Sequence, residues 1–457
     1  MNIQSVNPVN GQLIKTYKEE SEKEVGAKLE RAHSVWLEWR NSSFGQRKDL
    51  MLKTAAVLCE RKSALAGIMT AEMGKPLKDG VQEIEKCAFV CDYYAENGES
   101  FLKDQLIETD ASKSFVTFQP LGVVLAVMPW NFPFWQVFRF LAPTLMAGNC
   151  GVLKHASNVP GCALAIEDVM KQAGFPTGVF QTLLVGSGAV ESIIAHPLVK
   201  AVSLTGSTTA GSKVAAQAGQ HLKKTVLELG GSDPYIILED ADLEHAAEIC
   251  ATSRLINNGQ SCIAAKRFIA VKKIEKDFID MFSTKMASRI TGDPLDEKTN
   301  LGPMARVDLR DELHAQVKQN IDAGAQCLLG GTIPDKPGKH AFYTPTILAN
   351  VKKGMSAYSE ELFGPVASML SAKDAREAIQ IANDTSFGLG AAVFTKDAEL
   401  GESIARNDLQ AGACFVNSFV KSDPRLPFGG INQSGYGREL GLFGIHEFVN
   451  IKSVYIG

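Results

Sequence analysis

The sequence predicts an α/β protein built on doubly wound parallel sheets, and three observations support this fold class. Short continuous apolar runs, such as 122–128, indicate strands that are buried on both faces, as in parallel sheets. Stretches with apolar residues at helical spacing separate these runs, so strands and crossover helices alternate. The chain of 457 residues is too long for one ordinary core, so we expect two or three domains.

The predicted elements follow in order along the chain. Residues 21–95 carry apolar side chains at helical spacing and predict a helical opening. Before residue 230 the predicted strands are 114–119, 122–128, 150–154, 179–185 and 200–205, with helices that reach to 147, span 161–173 and follow the turn 206–211. After residue 231 the pattern restarts with a strand at 234–238, a helix at 242–255 and strands at 268–271 and 391–394. The last strand, 451–456, has no obvious local partner, so we consider pairing with another subunit for it and for the segment near Ser114.

Composition and charge argue against several classes of protein. A formal net charge of −4 and an isoelectric point near 6.1 show no excess of positive charge that would attract nucleic acid or an anionic membrane. No apolar run is long enough to cross a bilayer, and the N-terminus lacks the features of a signal peptide. The nine scattered cysteines are typical of free thiols, and neither they nor the eight histidines predict a metal site. We therefore expect a cytoplasmic protein with no metal and no nucleic-acid or membrane partner.

Cys262 and Glu228 are the candidate reactive residues. Cys262 ends the run 258–262, Asn-Gly-Gln-Ser-Cys, and Glu228 opens the run 228–231, Glu-Leu-Gly-Gly. A thiolate is the strongest nucleophile that a side chain offers. A nearby carboxylate can activate water once an acyl group is attached to sulfur. The pair therefore predicts covalent chemistry at a carbonyl carbon through a thioester.

Three further features each allow two interpretations. The turn 206–211, Gly-Ser-Thr-Thr-Ala-Gly, follows a predicted strand and opens a helix, so it either binds phosphate or is only a tight turn. Lys154 ends a predicted strand and either holds ribose hydroxyls or phosphate, or extends along the surface. Asn131 lies in a turn between two prolines and either donates its amide to an oxyanion or bonds its own backbone.

Seven motifs in a fixed order resemble the aldehyde dehydrogenase superfamily, and the resemblance extends from about Val6 to the C-terminus. They are PWNFP at 129–133, Lys154, GSTTAG at 206–211, ELGG at 228–231, GQSC at 259–262, EELFGP at 360–365 and PFGG at 427–430. The resemblance implies two doubly wound parallel-sheet domains and a small β oligomerisation element. It assigns 1–105 and 121–230 to an NAD(P)-binding domain, 231–440 to a catalytic domain, and 106–120 and 445–457 to the bridging element. It also implies a homodimer or homotetramer.

The resemblance also implies roles for single residues. Cys262 would attack the aldehyde, and the Asn131 amide together with the Cys262 backbone N–H would hold the oxyanion. Hydride would then pass to the nicotinamide, and Glu228 would activate the water that hydrolyses the thioester. Glu439 matches a second glutamate associated with proton relay, with a salt-bridged helix residue as the alternative. The implied cofactor-binding residues are Trp130, Lys154, Ser157, Gly206, Ser207, Leu229, Glu361 and Phe363.

Ser157 bears on the choice of cofactor. Members of the superfamily that prefer NAD often carry a glutamate three residues after the lysine, where it grips both ribose hydroxyls and repels a 2′-phosphate. Ser157 leaves room for the phosphate, and Lys154 can pair with it, so we expect NADP to be accepted and even preferred over NAD. The alternative is that Ser157 only caps the following helix and NAD still binds.

Arg139 favours a carboxylated aldehyde as the substrate. It lies eight residues after Asn131, where succinate-semialdehyde dehydrogenases similarly carry an arginine that binds the substrate carboxylate. A structural arginine at an interface is the alternative. On this resemblance we expect succinate semialdehyde as the substrate.

The second arginine of those enzymes has no direct counterpart. It often stands six residues before the cysteine, where this chain has Ile256, and Arg254 is displaced by two. Ser422 and Arg425 lie on a loop that we expect to reach the tunnel mouth and replace it.

Other activities share part of this evidence. A broad aliphatic, lactaldehyde or glutarate-semialdehyde dehydrogenase would carry the same motifs. Glu228 argues against a coenzyme A-dependent acylating enzyme, because those commonly lack the deacylating glutamate. The intact Cys262, Glu228 and Asn131 argue against a non-catalytic structural protein, and the lack of a histidine in a convincing motif argues against a cysteine hydrolase. Ala264 stands two residues after the cysteine, so a disulfide switch at that position is not supported.

Overall fold

The computed structural model describes residues 2–457. The elements before residue 230 are β1 (Asn2–Val6), β2 (Leu13–Lys18), α1 (Glu22–Trp39), α2 (Phe44–Met73), α3 (Leu77–Phe101), β3 (Gln105–Leu106), β4 (Lys113–Pro120), β5 (Val123–Met128), α4 (Trp135–Met146), β6 (Cys150–His155), α5 (Pro160–Gln172), β7 (Phe180–Thr182), α6 (Val190–Ala195), β8 (Val199–Thr205), α7 (Thr208–Gln220) and β9 (Lys224–Glu228). The strand predicted at 179–185 is shortened to β7, and the hairpin of β1 and β2 was not predicted. The other strands and helices predicted in this half are confirmed, with shifts of a few residues at their ends.

The elements after residue 230 also match the predicted alternation. They are β10 (Pro234–Ile237), α8 (Leu243–Leu255), β11 (Arg267–Val271), α9 (Glu275–Ala287), α10 (Val307–Asp322), β12 (Gln326–Leu329), β13 (Thr346–Ala349), α11 (Ser356–Ser359), β14 (Val366–Ala372), α12 (Ala375–Asn383), β15 (Gly390–Phe394), α13 (Ala398–Ser403), β16 (Ala413–Val416), β17 (Gly435–Tyr436), α14 (Gly441–His446) and β18 (Val449–Ile456). The four elements predicted there, at 234–238, 242–255, 268–271 and 391–394, are confirmed as β10, α8, β11 and β15.

The first sheet has six strands in the order β17-β9-β8-β5-β6-β7, and all but β17 are parallel. Its central strand β5 is fully buried on both faces at Val123, Val124 and Leu125, as its apolar run predicted. Since β9, β8, β5 and β6 are adjacent and parallel, their carboxyl ends form one continuous edge. The two-residue strand β17 comes from the segment 231–440 and extends this first sheet.

The second sheet has seven strands in the order β12-β13-β14-β11-β10-β15-β16, with β12 antiparallel at one end. Each of the two large sheets has its own cluster of buried apolar residues. Residues 229–233 link β9 of the first sheet to β10 of the second. The fold is therefore an α/β fold with two doubly wound sheets, as predicted.

The last strand has a partner within the chain. β18 pairs antiparallel with β4 over the whole length of both strands, from Val449 opposite Pro120 to Ile456 opposite Lys113. With β3 they form a three-stranded sheet. The strand has no local partner, as expected, and pairs within the chain across more than 300 residues, so a second subunit is not needed to pair it; local sequence gives no sign of so distant a pairing.

Two buried carboxylates of the long helices α2 and α3 hold the helices that follow β5 and β6. Glu83 accepts hydrogen bonds of 2.9 Å from the backbone N–H groups of Phe134 and Trp135 at the start of α4. Glu72 accepts bonds of 2.9 Å from the N–H groups of Gly161 and Cys162 at the start of α5. A carboxylate satisfies the free N–H groups of a helix N-terminus and its positive dipole end. These contacts fix the start of α4 beside the carboxyl edge of the first sheet.

No helix within residues 2–457 has both the length and the apolar character needed to cross a membrane. In the same residues, histidine, cysteine and acidic side chains form no group of three or more that could hold a metal ion.

Candidate active site

The two large sheets bring the sequence motifs together from opposite sides. On the carboxyl edge of the first sheet, Glu228 ends β9, Gly206 follows β8, the 129–133 turn follows β5 and Lys154 lies in β6. In the second sheet, Cys262 precedes β11 and the 360–365 motif precedes the neighbouring strand β14. The site is thus built from the carboxyl ends of the first sheet, where doubly wound folds bind ligands, and from loops at the amino ends of the second sheet.

A cavity of about 390 Å³ opens at Cys262. Four aromatic rings contribute to its wall, those of Phe132, Trp135, Phe419 and Phe428. All nine cysteines are free thiols, and Cys262 is the one among residues 2–457 that lines this cavity. An apolar pocket with a single nucleophile is suited to a small organic carbonyl compound.

The loop before Cys262 is held by asparagines in the left-handed region. Asn257 and Asn258 have φ values of +53° and +58°, which asparagine tolerates better than most residues. The Asn257 amide donates to the backbone carbonyls of Asn131, at 2.7 Å, and Gln260, at 3.0 Å. The Asn258 amide donates to the carbonyl of Pro303 at 2.9 Å. These bonds tie the loop that carries the nucleophile to the 129–133 turn.

Asn131 reaches across to the same loop. Its side-chain amide donates to the carbonyl of Gln260 at 3.0 Å, and the residue is only 5% exposed. The alternative that this asparagine bonds its own turn is therefore wrong. The amide nitrogen has a second hydrogen, and its acceptor Gln260 stands two residues before Cys262 in the sequence.

Burial raises the pKa of the Cys262 thiol to about 12, while Lys266 and then Arg139 act to lower it. The ammonium group of Lys266 donates to the backbone carbonyls of Ser261, at 2.8 Å, and Cys262 itself, at 2.6 Å. A thiolate, the reactive form, is disfavoured in an apolar pocket and is favoured by such neighbouring cations. Lys266 was not predicted as a site residue.

Arg139 lies between two buried carboxylates. Its guanidinium pairs with Glu439 and lies 3.8 Å from Glu228, and all three side chains are at most 5% exposed. Burial raises the pKa of both glutamates, Arg139 lowers them, and Glu439 further raises that of Glu228. A hydrogen bond from the backbone N–H of Gly430 also acts to lower the pKa of Glu228. Glu439 forms a salt bridge, as the alternative of a salt-bridged helix residue predicted. It lies before α14, however, and not within a helix.

Lys154 and Ser157 line a second, larger cavity together with the loop 186–189. Lys154 is 7% exposed, so the alternative of a surface lysine is wrong. Burial lowers its pKa, and no carboxylate of residues 2–457 lies within ion-pair distance of its ammonium group. Helix α5 begins after Val159 without a side-chain cap, so the alternative that Ser157 caps it is also wrong. A buried ammonium and an exposed hydroxyl beside it fit a phosphate group.

The turn 206–211 lies beside the ELGG motif. The backbone N–H of Gly206 donates to the carbonyl of Glu228 at 2.9 Å, and Ser207 is the N-cap of α7 through its hydroxyl. Leu229 is buried, and its side chain occupies the space beside Gly211, where an added Cβ would lie 2.4 Å from it. A side chain at position 211 would therefore displace Leu229 and with it the end of β9.

Glu361 and Phe363 lie near Lys266 and Trp130. The Glu361 carboxylate pairs with the Lys266 ammonium at 3.2 Å and accepts from the N–H of Gly231 at 3.1 Å. The Phe363 and Trp130 rings meet edge to face, with centroids 5.8 Å apart. The four residues form a partly apolar wall beside the loop of the nucleophile.

Only some of the predicted substrate residues lie on the cavity of Cys262. Arg139 and Ser422 line the cavity of Cys262, but Arg425 does not. The Arg425 guanidinium is exposed and bonds the carboxylate of Asp423 at 2.8 and 2.7 Å. Arg254 is fully buried and donates to the carbonyl of Gly259 at 2.6 Å, so it supports the loop and does not line the cavity.

A profile of the aldehyde dehydrogenase family matches residues 1–454 of the chain. The chain belongs to the aldehyde dehydrogenase family. Two curated relatives are each 49% identical over the full length of both chains: a probable succinate-semialdehyde dehydrogenase [NADP(+)] of Synechocystis sp. and succinate-semialdehyde dehydrogenase [NADP(+)] 1 of Mycobacterium tuberculosis. The solved structure of succinic semialdehyde dehydrogenase from Streptococcus pyogenes in complex with NADP+ is 38% identical, covers 99% of each chain and superposes with a TM-score of 0.97.

Sequence reasoning missed three residues of this aldehyde dehydrogenase site. Asn257 gave a signal, since the run Asn-Asn-Gly at 257–259 is typical of left-handed backbone. Lys266 follows the nucleophile by four residues, but nothing in the sequence says that its ammonium turns back to the loop. Lys86 lies on α3, far from every motif, and only the tertiary fold brings it to the cavity.

Proposed function

We propose that this aldehyde dehydrogenase oxidises succinate semialdehyde to succinate and prefers NADP to NAD. One observation carries the chemistry: Cys262 is the one thiol of residues 2–457 that lines the cavity, and the buried carboxyl group of Glu228 is among the charges that raise its pKa. The names of the Synechocystis and Mycobacterium tuberculosis relatives support the substrate and the cofactor.

The residues of the chain divide the reaction into two covalent steps. The Cys262 thiol loses its proton to solvent, and the thiolate sulfur then bonds to the aldehyde carbon. The carbonyl oxygen becomes an oxyanion and accepts from the Asn131 amide and the Cys262 backbone N–H. The bound nicotinamide cofactor supplies the hydride acceptor of the oxidation. Glu228 takes a proton from water as the water attacks the thioester carbon, and the Cys262 sulfur leaves as the acid is released. Glu439, which shares Arg139 with Glu228, would receive that proton from Glu228 in a later step.

Lys154 and Ser157 would hold a 2′-phosphate on the adenosine ribose. Lys154 is an ammonium group buried without an anion, and position 157 carries no carboxylate that would repel phosphate. Gly206 and Ser207 would hold the pyrophosphate near the start of α7, Trp130 and Leu229 would line the cleft, and Glu361 and Phe363 would contact the nicotinamide ribose and ring.

Of the expected substrate residues Arg139, Ser422 and Arg425, we propose Ser422 as one that helps to select a carboxylated substrate, because it lies on the cavity wall. Arg139 is already beside Glu228 and Glu439, and Arg425 is bonded to Asp423 away from the cavity. The domain division of 1–105 with 121–230, 231–440, and 106–120 with 445–457 is proposed as well. The exposed apolar side chains on the three-stranded sheet, among them Leu106, Ile451 and Tyr455, support a homodimer or homotetramer. A cytoplasmic location is part of the same proposal.

The test measures initial rates of NADPH or NADH formation with succinate semialdehyde and with butanal. We expect succinate semialdehyde with NADP to give the highest kcat/KM. Cys262→Ser should abolish formation of reduced cofactor with every aldehyde, while it leaves the melting temperature within a few degrees. A higher kcat/KM with butanal would contradict the proposed substrate, and an active Cys262→Ser enzyme would contradict the chemistry.

A further inference from the structure

The cavity of Cys262 contains a cation that no motif assigned. Lys86, on α3, lines the cavity, and its ammonium group donates to the Ser422 hydroxyl at 2.9 Å. The ammonium also lies 4.0 Å from the centroid of the Trp135 ring. No carboxylate of residues 2–457 lies within ion-pair distance of it.

Lys86 differs in this respect from three other cations that line the cavity. Arg139 has Glu228 and Glu439 as partners, Lys75 pairs with Glu83, and Arg289 pairs with Glu248. A guanidinium that already neutralises two carboxylates attracts a third anion weakly, whereas an unpaired ammonium in an apolar wall attracts one strongly. Lys421 also lines the cavity without an ion pair among residues 2–457, but it is exposed to solvent. The unpaired charge that is largely removed from solvent is therefore at Lys86.

We propose that Lys86, together with the hydroxyl of Ser422, binds the carboxylate of the aldehyde substrate and so determines specificity for carboxylated aldehydes. The inference rests on the proposed function, because it concerns the same cavity and the same substrate. Position 256, where related enzymes often carry a second arginine, is Ile256 in this chain. Lys86, on α3, supplies a cation in its place. Ser422 donates its own hydroxyl hydrogen to the carboxylate, since its oxygen accepts from Lys86.

If Lys86 binds the substrate carboxylate, the preference for a carboxylated aldehyde should depend on its protonation. A lysine with only a structural role would give no such pH dependence. Burial first, and then Arg139, lower the pKa of Lys86 to about 8, while Cys87, Glu83 and Asp423 act to raise it. Lys86 is therefore cationic below about pH 8 and loses its charge as the pH rises through that value. The ratio of kcat/KM for succinate semialdehyde to that for butanal should fall above pH 8. In Lys86→Arg, which stays charged, the ratio should remain constant to pH 10.

The experiment compares this ratio at pH 7 in four enzymes: the parent, Lys86→Met, Lys86→Arg and Lys78→Met. Lys86→Met keeps the apolar stem and removes the charge, and we expect the ratio to fall roughly 10- to 100-fold, as for a lost hydrogen bond to a charged group. Lys86→Arg should keep it within about threefold. Lys78 lies on the same helix, is exposed and does not line the cavity, so Lys78→Met removes one charge from α3 without changing the ratio.

The possible results separate this inference from the proposed function. A parent enzyme that prefers succinate semialdehyde, combined with a Lys86→Met variant that keeps the preference, overturns the role of Lys86 alone. Equal losses with both aldehydes in Lys86→Met also overturn it, since they indicate a structural lysine. A parent enzyme without any preference for the carboxylated aldehyde refutes the proposed substrate and the role of Lys86 together.

Discussion

Replacement of Arg139 by methionine should impair the turnover of every aldehyde, charged or not. The guanidinium of Arg139 is the cation within 4 Å of the carboxylates of Glu228 and Glu439 in the described residues. Methionine keeps an apolar stem of similar length but leaves two buried carboxyl groups without a counter-charge. The pKa of Glu228, already raised by burial, should then rise further.

The structure gives the size of this effect. Coulomb's law assigns about 4 kcal/mol to two unit charges at the 3.8 Å separation of Arg139 and Glu228, for an effective dielectric constant of about 20. If relaxation of the site recovers half of this, a loss of about 2 kcal/mol lowers the ionised fraction of Glu228 about 30-fold at neutral pH. Because Glu228 must be ionised to accept a proton from water, we expect kcat to fall by about the same factor.

The assay follows kcat against pH for succinate semialdehyde and butanal, together with the pre-steady-state burst of reduced cofactor. In Arg139→Met the burst should remain close to one equivalent for each site, because acyl transfer to Cys262 precedes the step that needs Glu228. The rise of kcat with pH should move to higher pH for both aldehydes, and Arg139→Lys should restore most of it. An unchanged kcat for butanal, with only a raised KM for succinate semialdehyde, would refute this reasoning and leave Arg139 as a substrate anchor alone.

Three further predictions follow from the same geometry. Asn131→Ala should lower kcat about 100- to 1,000-fold while cofactor affinity, measured by fluorescence titration, is kept, because it removes one oxyanion donor; a loss below tenfold would contradict that role. Ser157→Glu should lower the kcat/KM ratio of NADP to NAD at least about tenfold, because a carboxylate beside Lys154 repels a 2′-phosphate; an unchanged ratio would show that Ser157 does not face it. Lys266→Met should slow alkylation of Cys262 by iodoacetamide about tenfold at pH 8, because loss of the cation raises the pKa of the thiol, already about 12; equal rates at every pH would exclude this effect.

Much of the fold was predictable because local sequence encodes buried parallel strands directly. The run that became β5 has no polar residue between Val123 and Met128, and such a run has few stable alternatives. β1 was missed because only two of its five residues are buried, and its partner β2 has none that is fully buried. The pairing of β18 with β4 could not be read from either segment, since register between distant strands depends on the whole fold.

The reactive residues of the site were predictable for a different reason from the fold. Cys262 and Glu228 stand in short motifs whose chemistry depends on residue type, so the sequence alone points to them. The electrostatic setting of those residues was not predictable, because charges act through space. The sequence around Lys86 is that of an ordinary surface lysine. Lys78, on the same helix, has a similar context and is in fact an exposed surface lysine.

Arg139 and Lys86, two of the five cations that line the cavity, differ in function because they differ in their partners. Each positive charge can compensate about one buried negative charge, and Arg139 has two carboxylates beside it before any substrate arrives. Its charge therefore stabilises the ionised forms of Glu228 and Glu439 inside the protein. Turnover of every aldehyde needs these ionised forms. Lys86 has no carboxylate partner among the described residues, so the Ser422 hydroxyl and the Trp135 ring offset only part of its desolvation until an anion enters. An uncharged aldehyde does not reduce the desolvation cost of the Lys86 ammonium, whereas a carboxylated aldehyde does. Selectivity therefore depends on Lys86, and turnover depends on Arg139.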